Sequence, residues 1–145
     1  MNDENPVHIL SDDECWTFLQ SHEFGRLAFH LAEQVHITPI NFAVDKQSGQ
    51  RTLLFRTAEG SKLLGVVMNP DIAFEADEYD EHQATSVIVR GTARLLEEDE
   101  AHRAENVPLR PWVNTLKYNV VEITPTEFSG RRFDLALPWR HLRPE

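Results

Sequence analysis

Apolar residues in this chain recur at every second position in several runs, and short polar turns separate the runs. Gly25–His30 alternates in this way. His36–Val44 does so too, with Ile40, Phe42 and Val44 on one face and Pro39, Asn41 and Ala43 on the other. Thr52–Thr57 follows across a loop holding Lys46, Ser48 and Gly49, and these two runs read as a hairpin. Ile72–Asp77 turns Ile72, Phe74 and Ala76 to one side. Ser86–Leu96 does the same with Val87, Val89 and Ala93, and Gly91 in its middle predicts a bulge or a close backbone approach. Lys117–Thr124 is the last clear run. A period of two demands strands. Turns this short demand antiparallel neighbours, because a parallel crossover needs a dozen or more residues. The expected fold is therefore mostly β: an antiparallel barrel of about six strands with two or three peripheral helices, not a series of βαβ units.

The helices carry their own signals. Ser11-Asp12-Asp13-Glu14 fits a capping box, opening a helix that runs to about Ser21 with Cys15, Trp16, Phe18 and Leu19 on its apolar side. Ser61–Met68 reads as a short helix with Leu63, Leu64, Val67 and Met68 on one side, ended by Asn69-Pro70. Glu97–Asn106 is charged and helix-prone. The first ten residues read as an arm or an edge segment, and Asp77–Gln83 as an acidic turn.

The segment Leu53–Lys62 carries the strongest functional signal. An apolar strand ends on Arg56-Thr57, a link with Gly60 follows, and Ser61-Lys62 opens the short helix. Turn amides and a helix N-terminus favour an anion. Arg56 can fork onto phosphate oxygens, Lys62 adds a point charge and Ser61 a hydroxyl. The segment lacks the glycine and lysine spacing of a P-loop, and the chain holds no dinucleotide fingerprint.

The 145 residues suit one domain, taken as 1–145, that needs no disulfide or metal to fold. A formal net charge of -10 argues against coating nucleic acid or an anionic membrane. The seven histidines are scattered without metal-ligand spacing, so no metal site is expected. The single Cys15 belongs to an apolar helix face and suits a reducing cytoplasm. The polar N-terminus shows no secretory signal, and no apolar run reaches the ~20 residues of a spanning helix. A cytoplasmic protein is expected.

Four segments in order, His36–Phe42, Leu54–Lys62, Ile72–Asp77 and Ser86–Gly91, resemble the pyridoxamine 5'-phosphate oxidase-like FMN-binding split β-barrel proteins, in particular the short bacterial members. Val121–Pro125 followed by Ser129–Phe133 resembles their closing segment. The resemblance implies a homodimer of split barrels with FMN between the subunits. It assigns Arg56, Thr57, Ser61 and Lys62 to the phosphate, Thr38, Pro39, Ile40 and Asn41 to the flavin ring, and Ser86 to a polar contact with the ring. From the partner subunit it implies an aromatic residue and an arginine, matched by Trp112 and by Arg131 or Arg132. A tail from Gly130 would then cross to the partner. Thr85-Ser86 stands where relatives often have Trp-Ser, which leaves one wall of the substrate side open. The implied activity is that of a flavin-dependent oxidoreductase, with a nicotinamide or a small molecule as reductant and no side-chain acid or base required. Coenzyme F420 in the same fold, or a non-catalytic flavin-binding or sensor module, is the alternative. The few cations near the site favour FMN over the polyanionic F420.

Overall fold

The computed structural model describes residues 6–57, 69–109 and 119–136. The elements run β1 (Val7–Ile9), α1 (Asp12–Gln20), β2 (Phe24–Leu31), β3 (Gln34–Asn41), β4 (Ala43–Asp45), β5 (Thr52–Thr57), β6 (Asp71–Tyr79), β7 (Gln83–Leu95), the single turn α2 (Glu98–Ala101), a 3₁₀ turn (His102–Asn106) and β8 (Asn119–Asp134). Among the described residues, then, eight strands stand where about six were expected, all antiparallel and in one sheet ordered β3-β2-β6-β7-β8-β5-β4, with β1 added to β8.

Three differences from the sequence reading matter. The run His36–Val44 is not one strand. It breaks at Phe42, so that β3 pairs with β2 and β4 pairs with β5 at the opposite edge of the sheet. One residue thus carries the chain between the two edges, and the curled sheet closes through this crossing. The Phe42 amide donates to the Glu23 carbonyl at 2.9 Å, which pins the crossing to the start of β2. Second, the acidic turn is shorter than Asp77–Gln83, because β6 and β7 pair out to Tyr79↔Ala84. Asp80 closes that turn by accepting from the His82 and Gln83 amides.

Third, the last strand does not stop at Thr124. It runs to Asp134, pairing with β7 from Val121 onward, with β5 over its first residues and with β1 over Arg131–Phe133. Gly130–Phe133 is therefore sheet rather than a crossing tail, and cutting the chain after Ser129 would remove ladder. A register shift between Arg90 and Gly91 takes up one extra residue, Thr126, whose hydroxyl donates to the Arg90 carbonyl at 3.1 Å. A Cβ on Gly91 would overlap the Thr124 carbonyl oxygen, so the bulge and the close approach expected there are both present.

Alternation places the core. Phe42, Phe55, Phe74, Leu27, Val87, Val89, Val121 and Ile123 fill the barrel, and α1 plugs it with Cys15, Trp16, Phe18 and Leu19. The Ser11 cap accepts from the Glu14 amide while Glu14 accepts from the Ser11 amide, the reciprocal pair the sequence predicts. Cys15 is fully buried, and burial pushes its thiol above the ordinary range, so it is core. A smaller apolar cluster outside the barrel (Ala43, Leu54, Leu96, Ala104, Leu109 and Val120) seats α2 and the 3₁₀ turn on β4, β5 and β8.

Candidate functional site

The crossing at Phe42 brings the two expected halves of the site together. Ala43 pairs with Leu54 in the β4–β5 ladder. Asn41 ends β3 on one side of the crossing, Arg56 lies on β5, which pairs with β4 on the other side, and β3 and β5 come into contact. Ala43 and Leu54 both pack in the cluster outside the barrel, so Asn41 and Arg56 share the outer face. Arg56 is half-buried, and its Nη2 donates to the Ala104 carbonyl at 3.3 Å. A pocket of about 270 Å³ opens beside the crossing, between the end of α1 (Gln20–Glu23) and Phe42–Val44 with Pro108.

Alternation divides the remaining expected residues between two faces. Thr38 and Ile40 pair with Leu27 and Gly25 and turn inward, whereas Pro39 and Asn41 turn outward. Thr57 lies on the inward side and is buried, opposite in sense to Arg56. Ser86 and Arg131 are cross-strand neighbours on the outer face, and Arg132 pairs with the buried Thr85 on the inward side. Asn41, Phe24, Asp77, Ser86, Arg131 and Ile9 follow one another across the sheet. Along the curled sheet, at roughly 4.8 Å per strand, about 14 Å separates Asn41 from Ser86 and about 19 Å separates it from Arg131. Within one chain these side chains are thus spread over five strands of the sheet. Ser61, Lys62, Trp112 and the Ser61–Met68 helix lie outside the described residues.

The outer face of β3, β2, β6 and β7 mixes exposed apolar side chains with charged ones. Val35 (71% exposed), Ile37 (70%), Phe24 and Ile88 stand on it. At its centre Arg26 donates to Glu75 at 2.7 Å, with Asp77 3.6 Å away. Burial, the neighbouring Asp77 and its hydrogen bond together raise the Glu75 carboxyl to about 7, against the pull of Arg26. A groove of about 530 Å³, lined by Ala28, His30, Val35, Asp71, Ala73 and Arg90 among others, lies further along this face.

The charged segment Glu97–Asn106 hides a feature that strand periodicity could not reveal. Arg103, 7% exposed, reaches into the sheet and donates to Asp45 through Nε (2.8 Å) and Nη2 (2.6 Å), and also to Glu122. Thr52 donates to the same Glu122 oxygen, and Arg94 joins Glu122 to Glu100. Burial pushes the Asp45 carboxyl up, but the Arg103 and Gln47 hydrogen bonds outweigh it and hold Asp45 below the usual carboxylate range. Among the described residues no group of His, Cys, Asp and Glu forms a metal-binding set, and no helix is long and apolar enough to cross a membrane.

Comparison with known proteins agrees with this architecture. The sequence model of the pyridoxamine 5'-phosphate oxidase family matches residues 11–132. A Corynebacterium glutamicum protein provisionally assigned as a pyridoxamine 5'-phosphate oxidase is 44% identical, with a TM-score of 0.80 over 91% of this chain and 96% of its own. An FAD-binding protein from Mycobacterium smegmatis is also 44% identical, with a TM-score of 0.74 over 89% of this chain and 100% of its own. An uncharacterised Mycobacterium tuberculosis protein is 34% identical over 130 residues, 85% of this chain and 83% of its own length.

Proposed function

The chain belongs to the pyridoxamine 5'-phosphate oxidase family, and on that premise we propose that it is a flavin-binding homodimer that holds the phosphate of FMN at Arg56 and the flavin ring along Thr38–Asn41. The observation that supports this reading is the crossing at Phe42, which joins β3, with Asn41 at its end, to β4, the hairpin partner of the strand that carries Arg56, with both side chains on the outer face. The donor set fits a flavin phosphate: a half-buried guanidinium beside a strand end, with Ser61 and Lys62 next in the chain, whereas the Thr57 side chain turns into the barrel. β3 is the terminal strand of the sheet order, and an edge strand offers main-chain donors and acceptors of the kind a flavin ring edge needs. The M. smegmatis relative is described as binding FAD, which contains the same riboflavin phosphate unit.

Flavin supplies the redox chemistry when bound, and the chain binds and orients it. The reaction we propose is hydride transfer between a nicotinamide or small-molecule reductant and an acceptor, as an oxidoreductase. A second copy of the chain fits the rest of the geometry. It would cover Val35, Ile37 and Ile88, and it would bring Arg131 toward the ring held by Asn41. Trp112 is the aromatic we assign to the same partner contribution.

Mass analysis of cofactor released from the purified protein separates FMN, FAD and F420. Calorimetry should then show tighter binding of FMN than of riboflavin. Arg56→Ala should cost about ten- to hundredfold in FMN affinity, the worth of one charged hydrogen bond. Equal affinity for FMN and riboflavin in the unaltered protein would overturn the phosphate assignment. A sedimentation mass of one chain with flavin bound would overturn the dimer.

A further inference from the structure

We propose that the buried ion cluster around Arg103 is a positioning device for Arg56, and that it sets how strongly the cleft prefers a phosphorylated flavin to an unphosphorylated one. This inference rests on the assignment of Arg56 to the phosphate. Arg103 and Ala104 are consecutive residues of the 3₁₀ turn. The Arg103 side chain drops onto Asp45 of β4 and Glu122 of β8, and the next carbonyl, that of Ala104, accepts from Arg56 of β5. Gln47 ties the same turn down from the other side. Its side-chain amide donates to the Arg103 carbonyl at 2.9 Å and to Asp45 at 2.7 Å, and its oxygen accepts from Asn106 at 2.9 Å.

Stability alone does not account for such a cluster. Taking these charges out of water costs several kcal/mol per ion, and apolar packing of similar volume commonly does as well. What the cluster adds is geometry: the forked guanidinium fixes direction as well as distance. The turn needs that help. A four-residue helix followed by a five-residue 3₁₀ segment has little stability of its own. Arg56 and Glu122 also stand on the same outer face, because Leu54 pairs with Glu122 and Arg56 with Val120. The buried anions and the phosphate-facing cation are thus neighbours on one surface. If the turn drifts, the Ala104 carbonyl drifts, and the guanidinium loses a contact that helps to orient it toward an incoming anion.

Binding measurements on the full chain test this. FMN and riboflavin affinities are measured by quenching of flavin fluorescence for the unaltered protein, Gln47→Ala, Arg103→Lys, Arg56→Ala and the Gln47→Ala/Arg56→Ala pair. Gln47 is exposed, so its replacement leaves the core intact even where the Arg103 variant fails to fold. Gln47→Ala should weaken FMN binding about tenfold, a loosened charged hydrogen bond, and leave riboflavin binding within about twofold; the FMN effect should vanish in the Arg56→Ala background. A fall in riboflavin affinity as large as that in FMN affinity, or an effect that persists without Arg56, would reduce the cluster to scaffolding and overturn the inference. Equal binding of both flavins by the unaltered protein would instead overturn the phosphate assignment and the inference with it.

Discussion

Glu75→Gln should abolish one pH-dependent component of folding stability. In the folded protein the Glu75 carboxyl holds its proton up to about pH 7, whereas its ordinary value is 4.5. Between those values the native state binds more proton than the unfolded chain, so the contribution of Glu75 to stability falls as pH rises. The contribution is fully present below pH 4.5 and is lost by the time pH passes 7. The separation of the two values corresponds to about 3 kcal/mol at most. Glu75 is 27% exposed at its side chain and shares its charge balance with Asp77, so about 1 to 2 kcal/mol is the realistic size. Above pH 7 two carboxylates face one guanidinium, Arg26. Glutamine keeps a hydrogen-bonding side chain of the same shape and removes the ionisation. Urea unfolding at pH 5, 6, 7 and 8, at one fixed protein concentration, should give nearly equal stabilities for the two proteins at pH 5 and a more stable variant at pH 8. The comparison between variant and parent cancels the titrating groups remote from Glu75 and leaves the Glu75–Asp77 pair. A difference that is flat across this range, or one that favours the parent at pH 8, would refute the placement of Glu75 in a desolvated pair.

Two further substitutions probe the scaffold. Gly130→Ala places a Cβ 2.5 Å from the Cys15 sulfur and 3.0 Å from Leu10, so α1 must shift off β8; thermal unfolding should show a loss of about 1–3 kcal/mol, partly recovered in a Cys15→Ala background. Ser11→Ala removes half of the capping box and should cost about 1 kcal/mol in urea unfolding, with the slope of the transition unchanged.

Side-chain period determined what could be read in advance. Ile72, Phe74 and Ala76 alternate in sequence and line the barrel in the structure, because one face of β6 meets the core and the other does not. The break at Phe42 left no such mark. Ile40, Phe42 and Val44 continue an unbroken alternation, and nothing in a period of two records which strand lies alongside. β8 was cut short for a related reason: Pro125 interrupts its pattern, and only the bulge at Thr126 lets the ladder resume. Arg103 was invisible because its partners are distant in sequence. Asp45 lies 58 residues away, and a charged run such as Glu97–Asn106 reads as a solvated face unless that distance is bridged. Of the candidate site, the sequence names Arg56 and Asn41, but the alignment that turns both to the outer face belongs to the topology.

That alignment depends on register. Arg56 faces outward only because β5 is held twice, by β4 through Ala43↔Leu54 and by β8 through Arg56↔Val120. A slip of one residue in β5 would turn Arg56 into the barrel and Thr57 out toward the cleft, exchanging a forked cation for a hydroxyl. Leu53 and Phe55 oppose the slip, since both are fully buried in the barrel and would be forced outward. Leu54 opposes it from the other side, buried in the cluster beneath the 3₁₀ turn. The strand is therefore apolar on both faces from Leu53 to Phe55, and the first polar side chain after that run emerges on the outer face. The burial that fixes the fold also fixes where the cation points.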